Sequence, residues 1–131
     1  MARATIDDVL AAARRDLDRL DPRAASAAVG DGATLIDIRQ SAQIARDGTI
    51  PGALYIHRNV LEWRLDPSSD NRHPQAPDLD ACVIVFCDQG YTSSLAAAAL
   101  KELGFGRATD LDGGFQAWRD AGLPVAPPRV T

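Results

Sequence analysis

The sequence has 131 residues, of which 46% are hydrophobic and 24% are charged, and its net charge is −4. A chain of this length can bury one core without disulfide bonds, and its composition is ordinary for a globular protein. The absence of a basic run argues against nucleic acid as a partner. No apolar stretch reaches the roughly 18–20 residues that cross a bilayer, so we predict no membrane contact. The N-terminus becomes acidic at Asp7 without an apolar signal core, which favours a cytoplasmic location.

The two cysteines, Cys82 and Cys87, belong to the same predicted strand and its end. Their Cα atoms would lie about 16 Å apart in an extended strand, which is well beyond the roughly 7 Å that a disulfide spans. We therefore predict that they do not pair and that Cys82 is a buried strand residue. The two cysteines and two histidines are too few for a structural zinc site of the usual spacing, so no metal is predicted.

The first thirty residues are predicted to form two helices. Thr5 is a suitable cap for the first one, which is expected to continue to Leu20 because apolar residues recur at helical spacing. These residues are Ile6, Val9, Leu10, Ala13, Leu17 and Leu20. The charged residues between them are expected to form the solvated face: Arg14, Arg15, Asp16, Asp18 and Arg19. A second short helix is predicted from Pro22 to about Gly30.

Strands and helices alternate through the rest of the chain. Strands are predicted at residues 33–38, 53–56, 81–86 and 107–111, and helices at 41–47, 59–65, 93–103 and 114–119. The apolar run at 82–86 does not alternate with polar residues, which is typical of a parallel strand covered on both faces. This order predicts a three-layer α/β fold with helices on both sides of the sheet.

Cys87 lies where the most apolar strand gives way to a short polar loop and then a helix. A thiol at this turn faces the positive end of the helix dipole and free backbone N–H groups, which stabilise its thiolate form. Ligands of open α/β sheets also bind beyond the carboxyl ends of the strands. We therefore predict that Cys87 is a nucleophile; the alternative is a cysteine that merely ends a strand.

Four segments, found in the expected order, resemble the rhodanese-like sulfurtransferase family. Residues 35–39 read LIDIR and are similar to its DxR strand, and residues 48–53 read GTIPGA and are similar to its GHIPGA segment. Residues 87–92 read CDQGYT and resemble its six-residue active-site loop. Residues 113–125 resemble its C-terminal GGxxAW…GxPV signature. The resemblance covers about residues 33–125 and leaves the first thirty residues outside it or at its edge.

The resemblance implies a rhodanese-like fold whose central, mostly parallel sheet has five strands. It suggests an N-terminal helical extension at 1–30 packed on the domain, a rhodanese-like domain at 31–125 and an irregular tail at 126–131. The implied reaction moves a sulfane sulfur from thiosulfate or a small-molecule persulfide to a cysteine thiolate. The resulting persulfide passes the sulfur to a thiophilic acceptor: cyanide, a thiol or an acceptor protein. No metal or organic cofactor is implied.

The family's site residues carry over to matching positions here. Cys87 is the implied catalytic residue, and the residues that follow it are expected to bind substrate: Asp88, Gln89, Gly90, Tyr91, Thr92 and Ser93. Their amides can form an anion-binding nest, and Gly90 can adopt the positive φ that such a loop needs. Arg58 is expected either at the pocket mouth, in contact with substrate, or in solvent. Asp37 and Arg39 are expected to form a structural network beneath the loop.

Three positions depart from the family pattern. Thr92 stands where many family loops have Arg, Asp88 stands where thiosulfate users often have a basic residue, and Thr49 replaces the usual His. Two other functions stay open. A phosphatase or arsenate reductase loop would need Arg at the position of Ser93, and a non-catalytic rhodanese-like module would bind a partner through the same surface.

Overall fold

The computed structural model describes residues 2–128 as ten helices and strands joined by short loops. The helices are α1 (Ile6–Arg14), α2 (Pro22–Gly30), α3 (Ser41–Asp47), α4 (Leu61–Leu65), α5 (Thr92–Glu102) and α6 (Gly114–Asp120). The strands are β1 (Thr34–Asp37), β2 (Leu54–Tyr55), β3 (Val83–Phe86) and β4 (Ala108–Asp110). A 3₁₀ turn at Arg58–Val60 precedes α4. Of the predicted tail at 126–131, residues 129–131 lie outside the described part of the chain.

The sheet is fully parallel, with strand order β2-β1-β3-β4. The expectation of five strands is therefore wrong, and the place beside β4 holds one residue instead of a strand. Leu20 forms a single parallel bridge with Leu111 there. The pairing cannot continue because Asp21 caps α2 by accepting the N–H of Ala24, and Pro22 then begins that helix.

The three-layer α/β architecture is confirmed, because β3 is buried on both faces. One face packs on α4 and α5, and α1 lies against α5. The opposite face packs on α2 and α6. Val83 and Val85 belong to the first core cluster, and Ile84 and Phe86 belong to the second. This alternation explains why the strand reads as an uninterrupted apolar run.

The first helix is shorter than predicted. Thr5 forms the expected cap, as a capping box with Asp8, but α1 ends at Arg14. Leu17 is buried in the segment after α1, and Leu20 pairs with Leu111 at the edge of the sheet. These contacts, and not a longer helix, explain why both positions are apolar. Among the described residues, no helix combines the length and apolar character needed to span a bilayer.

Candidate active site

A pocket of about 610 Å³ opens at the carboxyl ends of three neighbouring strands. Ile38, Arg39 and Gln40 follow β1, His57 and Arg58 follow β2, and Cys87 follows β3. Parallel strands end at the same edge of a sheet, so residues far apart in sequence meet there. The remaining lining residues are Gln43, Asn59, Asp88, Gln89, Tyr91 and Thr92.

Cys87 lines this pocket and is 6% exposed. Its Sγ accepts a hydrogen bond of 3.2 Å from the backbone N–H of Gly90. Within residues 2–128, that is the one loop amide at hydrogen-bond distance from the sulfur, whereas the sequence suggested a nest of several. The 11-residue helix α5 begins at Thr92, close behind the sulfur, and its N-terminus adds a favourable dipole for an anion there.

The active-site loop, residues 87–92, is held from below by the start of α6. The N–H of Phe115 donates to the carbonyl of Cys87 at 2.9 Å, and that of Gln116 donates to the carbonyl of Asp88 at 3.1 Å. A Cβ at Gly114 would lie 2.6 Å from the Cys87 carbonyl oxygen. Only a glycine permits this close approach. Gly114, the first residue of α6, therefore lets this helix approach the backbone of the loop.

Gly90 has a φ of +86°, and a Cβ there would lie 2.7 Å from the backbone nitrogen of Gly113. We expect Gly90→Ala to lower the free energy of unfolding by about 2–3 kcal/mol, because the left-handed conformation and the backbone clash both disfavour a side chain. The displaced Gly90 N–H should also slow reactions of Cys87 by about tenfold. Urea denaturation and alkylation rates measure the two effects. Gly106→Ala is the matched control, since no atom lies within 4 Å of the added carbon; equal effects of the two substitutions would contradict the account.

Asp37 and Arg39 form a buried ion pair beneath the pocket. The Nη2 of Arg39 donates to Asp37 Oδ2 at 2.9 Å and to the carbonyl of Gly48 at 2.6 Å. Its guanidinium carbon lies 4.0 Å from the ring centroid of Phe115. Thr49 donates its hydroxyl to Asp37 Oδ2 at 2.9 Å, so this threonine takes a local structural role. Asp37 and Arg39 thus bind each other in the core, and their support of the active-site loop stays a prediction.

The family model "Rhodanese-like domain" matches residues 21–121. This chain belongs to the rhodanese-like family. It is 38% identical over 104 residues to the thiosulfate sulfurtransferase GlpE of Stutzerimonas stutzeri, a match that covers 79% of this chain and 86% of that protein. It is also 35% identical over 94 residues to a sulfurtransferase of Allochromatium vinosum, covering 72% of this chain and 78% of that protein.

One solved structure resembles nearly the whole chain. It is a protein from Rhodopseudomonas palustris described as of unknown function and as a possible tyrosine phosphatase. The TM-score is 0.86 at 32% sequence identity, and the match covers 96% of this chain and 97% of that one. This likeness extends across the N-terminal residues that the rhodanese-like match leaves out.

The rhodanese-like loop presents some predicted side chains to the pocket and turns others away. Gln89, Tyr91 and Thr92 line the pocket and are exposed. Ser93 is fully buried, and its hydroxyl donates to Asp110 Oδ2 at 2.8 Å. Ser94 donates to the same oxygen at 2.8 Å. Because a buried carboxylate accepts both hydroxyl hydrogens, only the backbone of Ser93 stays a candidate for substrate binding.

Asp88 is held at the rim of the pocket by residues of α3 and α6. Gln116 Nε2 donates to Asp88 Oδ1 and to Asp47 Oδ2, each at 3.0 Å. The guanidinium of Arg46 lies 3.6 Å from Asp88 Oδ1. Its hydrogen bond to Asp47 lowers the pKa of that carboxyl to about 2. Asp47 is thus charged at neutral pH, and the guanidinium of Arg46 and the amide of Gln116 lie next to the Asp88 carboxylate.

Arg58 lines the pocket, where one of the two predicted alternatives placed it. Its Nη1 donates to Glu62 Oε1 at 2.8 Å, four residues along the chain, and its side chain is 32% exposed. An exposed pair at this spacing is weak, on the order of 0.5 kcal/mol. The contact with Glu62 therefore holds the Arg58 side chain only weakly, and its contact with substrate stays a prediction.

Three functional neighbours of the loop escaped the sequence reasoning. Asp110, at the end of β4, is fully buried and accepts hydrogen bonds from Ser93, Ser94 and Arg19. Arg14 and Arg19 were predicted to face solvent, yet each donates to the carbonyl of Gly90. The sequence holds one signal for these contacts. Asp110 ends a buried strand, and a buried carboxylate requires a cationic partner.

Proposed function

We propose that the protein is a rhodanese-type sulfurtransferase that carries a sulfane sulfur on Cys87. The observation that supports this most is the position of the Cys87 sulfur. Cys87 lines a pocket in the loop that leads into α5, and its sulfur accepts the Gly90 N–H. These groups stabilise both a thiolate and a persulfide anion without a cofactor.

The first half-reaction loads the enzyme. The Cys87 thiolate attacks the outer sulfur of thiosulfate, a new S–S bond forms, and the original S–S bond breaks. Sulfite leaves with the electron pair of the broken bond. With a small-molecule persulfide as donor, the leaving group is the donor's thiolate instead. The backbone N–H of Gly90 and the α5 N-terminus stabilise the negative charge that stays on the enzyme.

The second half-reaction unloads the enzyme. A thiophilic acceptor, either cyanide or a thiolate, attacks the outer sulfur of the persulfide, and Cys87 departs as a thiolate. The product is thiocyanate or a new persulfide. The exposed residues Gln89, Tyr91 and Thr92 border the route by which an acceptor, small molecule or protein, would approach. Thiol chemistry of this kind suits the reducing cytoplasm, where we propose that the protein acts.

The carboxylate of Asp88 should set the preference among donors. A negative charge about 7 Å from a bound anion costs roughly 0.6–2.4 kcal/mol per unit of anion charge, and Arg46 and Gln116 reduce this cost. We expect Asp88→Asn to lower the KM for thiosulfate about three- to tenfold, while the Gln116 hydrogen bond persists.

Steady-state kinetics with thiosulfate, a dianion, and with benzenethiosulfonate, a monoanionic sulfane-sulfur donor, separate charge from geometry. The KM should fall more for thiosulfate than for benzenethiosulfonate, and changing the exposed carboxylate Asp80 to Asn should affect neither donor. An equal change for both donors, or none for thiosulfate, would show that the Asp88 charge does not select the donor.

A phosphatase is the second candidate, favoured by the description of the Rhodopseudomonas palustris structure. Such a loop needs a guanidinium at the position of Ser93 to bind the transferring oxyanion. Here that side chain is a buried hydroxyl bound to Asp110. That position therefore supplies no guanidinium for an oxyanion, so we place sulfur transfer first.

Two assays on the purified protein separate the candidates. We expect thiocyanate from cyanide with thiosulfate or glutathione persulfide as donor, and no phosphate release from p-nitrophenyl phosphate. Phosphate release without thiocyanate would identify a phosphatase. Neither activity, with any donor of a panel, would identify a non-catalytic binding module.

A further inference from the structure

The N-terminal segment, which lies outside the rhodanese-like match, contacts the active-site loop directly. Arg14, the last residue of α1, donates from Nη2 to the Gly90 carbonyl at 2.8 Å. Arg19, in the turn that follows, donates from Nη2 to the same carbonyl at 2.9 Å. Two guanidinium groups therefore hold the residue whose N–H binds the Cys87 sulfur.

The two arginines differ in how their charges are compensated. Arg19 bonds to Asp110 Oδ1 at 2.9 Å and to Asp112 Oδ1 at 3.1 Å. Arg14 instead donates from Nε to the hydroxyl of Ser94 at 2.9 Å, and its guanidinium carbon lies 5.9 Å from the ring centroid of Tyr91. Within residues 2–128, no carboxylate lies at ion-pair distance from Arg14. Its positive charge is the uncompensated one behind the loop.

We propose that Arg14 is a positioning residue of the active site: it fixes the Gly90 carbonyl and supplies, from α1, the positive charge that the loop itself lacks. Residues 87–93 contain no Lys or Arg. The proposal rests on the proposed function, because a residue that carries sulfur must be stable as an anion. Its test, however, does not require that the protein transfers sulfur.

Simple geometry places this charge within reach of the sulfur. The Gly90 carbonyl and N–H belong to one residue, so the Arg14 Nη2 lies at most about 10 Å from Sγ. A unit charge at that distance alters the ratio of thiolate to thiol at Cys87 about two- to fifteenfold, depending on the local dielectric.

Arg19 differs from Arg14 in the groups that it binds. Burial by itself lowers the pKa of Arg19. The pKa is nevertheless raised, because the hydrogen bond and the charge of Asp110 outweigh burial and the charges of Asp112 and Cys87 add to them. Arg19 is thus bound mainly to the aspartates.

Other charged and titratable groups lie around the loop and the pocket, and the test leaves them unchanged. Asp88 and Tyr91 belong to the loop, and Asp110 and Asp112 lie behind it at the end of β4. The groups on the pocket side are Arg39 after β1 and His57 and Arg58 after β2. A change confined to Arg14 therefore reports its own charge and contacts.

The test measures how fast iodoacetamide alkylates Cys87 as a function of pH. It uses the full chain with Cys82→Ala, so that one thiol reacts. Arg14→Gln removes the charge, Arg14→Lys keeps it, and Arg15→Gln removes the neighbouring exposed charge as the matched control. Arg14→Met is a second neutral variant that decides the question should the glutamine variant fail to fold. Thermal melting verifies the fold of each.

We expect Arg14→Gln to slow alkylation about two- to fifteenfold near pH 6–7, and we expect this deficit to shrink as the pH rises. Arg14→Lys should retain most of the parent rate, and Arg15→Gln all of it. Two results would overturn the proposal. One is a pH profile of the alkylation rate that is the same for Arg14→Gln and the parent. The other is a rate that is lower in Arg14→Gln by the same factor at every pH, because it would indicate altered access to Cys87 alone. The alkylation assay contains no sulfur donor, so its result is independent of whether the protein transfers sulfur. Failure of the Arg14 proposal would likewise leave the proposed sulfur transfer unaffected.

Discussion

Replacing Cys87 with serine is expected to lower the rate of sulfur transfer to cyanide by at least about 1,000-fold. The hydroxyl is not ionised at neutral pH and does not accept a sulfane sulfur, while the substitution is nearly isosteric in the pocket. Binding of the donor should change little, so the loss should fall on kcat. Steady-state kinetics with thiosulfate or glutathione persulfide measure it.

Cys82→Ser is the matched control for this prediction. Cys82 is the other free cysteine; it lies directly before β3 and is half-buried against the core cluster on the α2 and α6 side, so the prediction of a buried strand residue is wrong. It is absent from the pocket lining, so its replacement should change the rate by less than about twofold. Equal losses in the two variants, or substantial activity in Cys87→Ser, would remove Cys87 from its proposed role.

Loss of the Arg39 side chain is expected to lower the free energy of unfolding by about 3–5 kcal/mol. Asp37 is 1% exposed, and Arg39→Ala would leave its carboxylate buried with only Thr49 and one backbone N–H as donors. The substitution also removes a planar group that packs on Phe115. Urea denaturation followed by circular dichroism gives the value.

Two further variants separate the charge from the packing. Arg39→Met combined with Asp37→Asn removes both charges and should recover much of the stability, since no uncompensated ion stays in the core. Arg107→Ala removes a surface arginine that donates to the Asp80 carbonyl and should cost less than about 1 kcal/mol. A cost of Arg39→Ala similar to that of Arg107→Ala would mean that the buried pair is not a major source of stability.

Local patterns predicted most of the sheet and the position of the nucleophile. The uninterrupted apolar run before Cys87 identified β3 as a central strand, and the polar loop after it identified the carboxyl edge. Gly48 ends α3 as predicted, and Gly90 has the positive φ that the loop requires. These features depend on residues close together in sequence, where periodicity and backbone preferences act.

The errors arose where distant contacts override local preference. The apolar spacing from Ile6 to Leu20 favours one long helix, but pairing of Leu20 with Leu111 draws the end of that segment to the sheet edge. Arg14 and Arg19 read as surface charges because their partner, the Gly90 carbonyl, lies 76 and 71 residues away. Ser93 reads as a loop hydroxyl because its acceptor, Asp110, belongs to the last strand.

The most direct test of the central claim is mass spectrometry of the protein after incubation with thiosulfate or glutathione persulfide. We expect the mass of one added sulfur atom, located on the peptide that contains Cys87. Cyanide should remove it, and Cys87→Ser should never acquire it. Absence of added sulfur with every donor, or its location on Cys82, would contradict a mechanism in which Cys87 carries the sulfur.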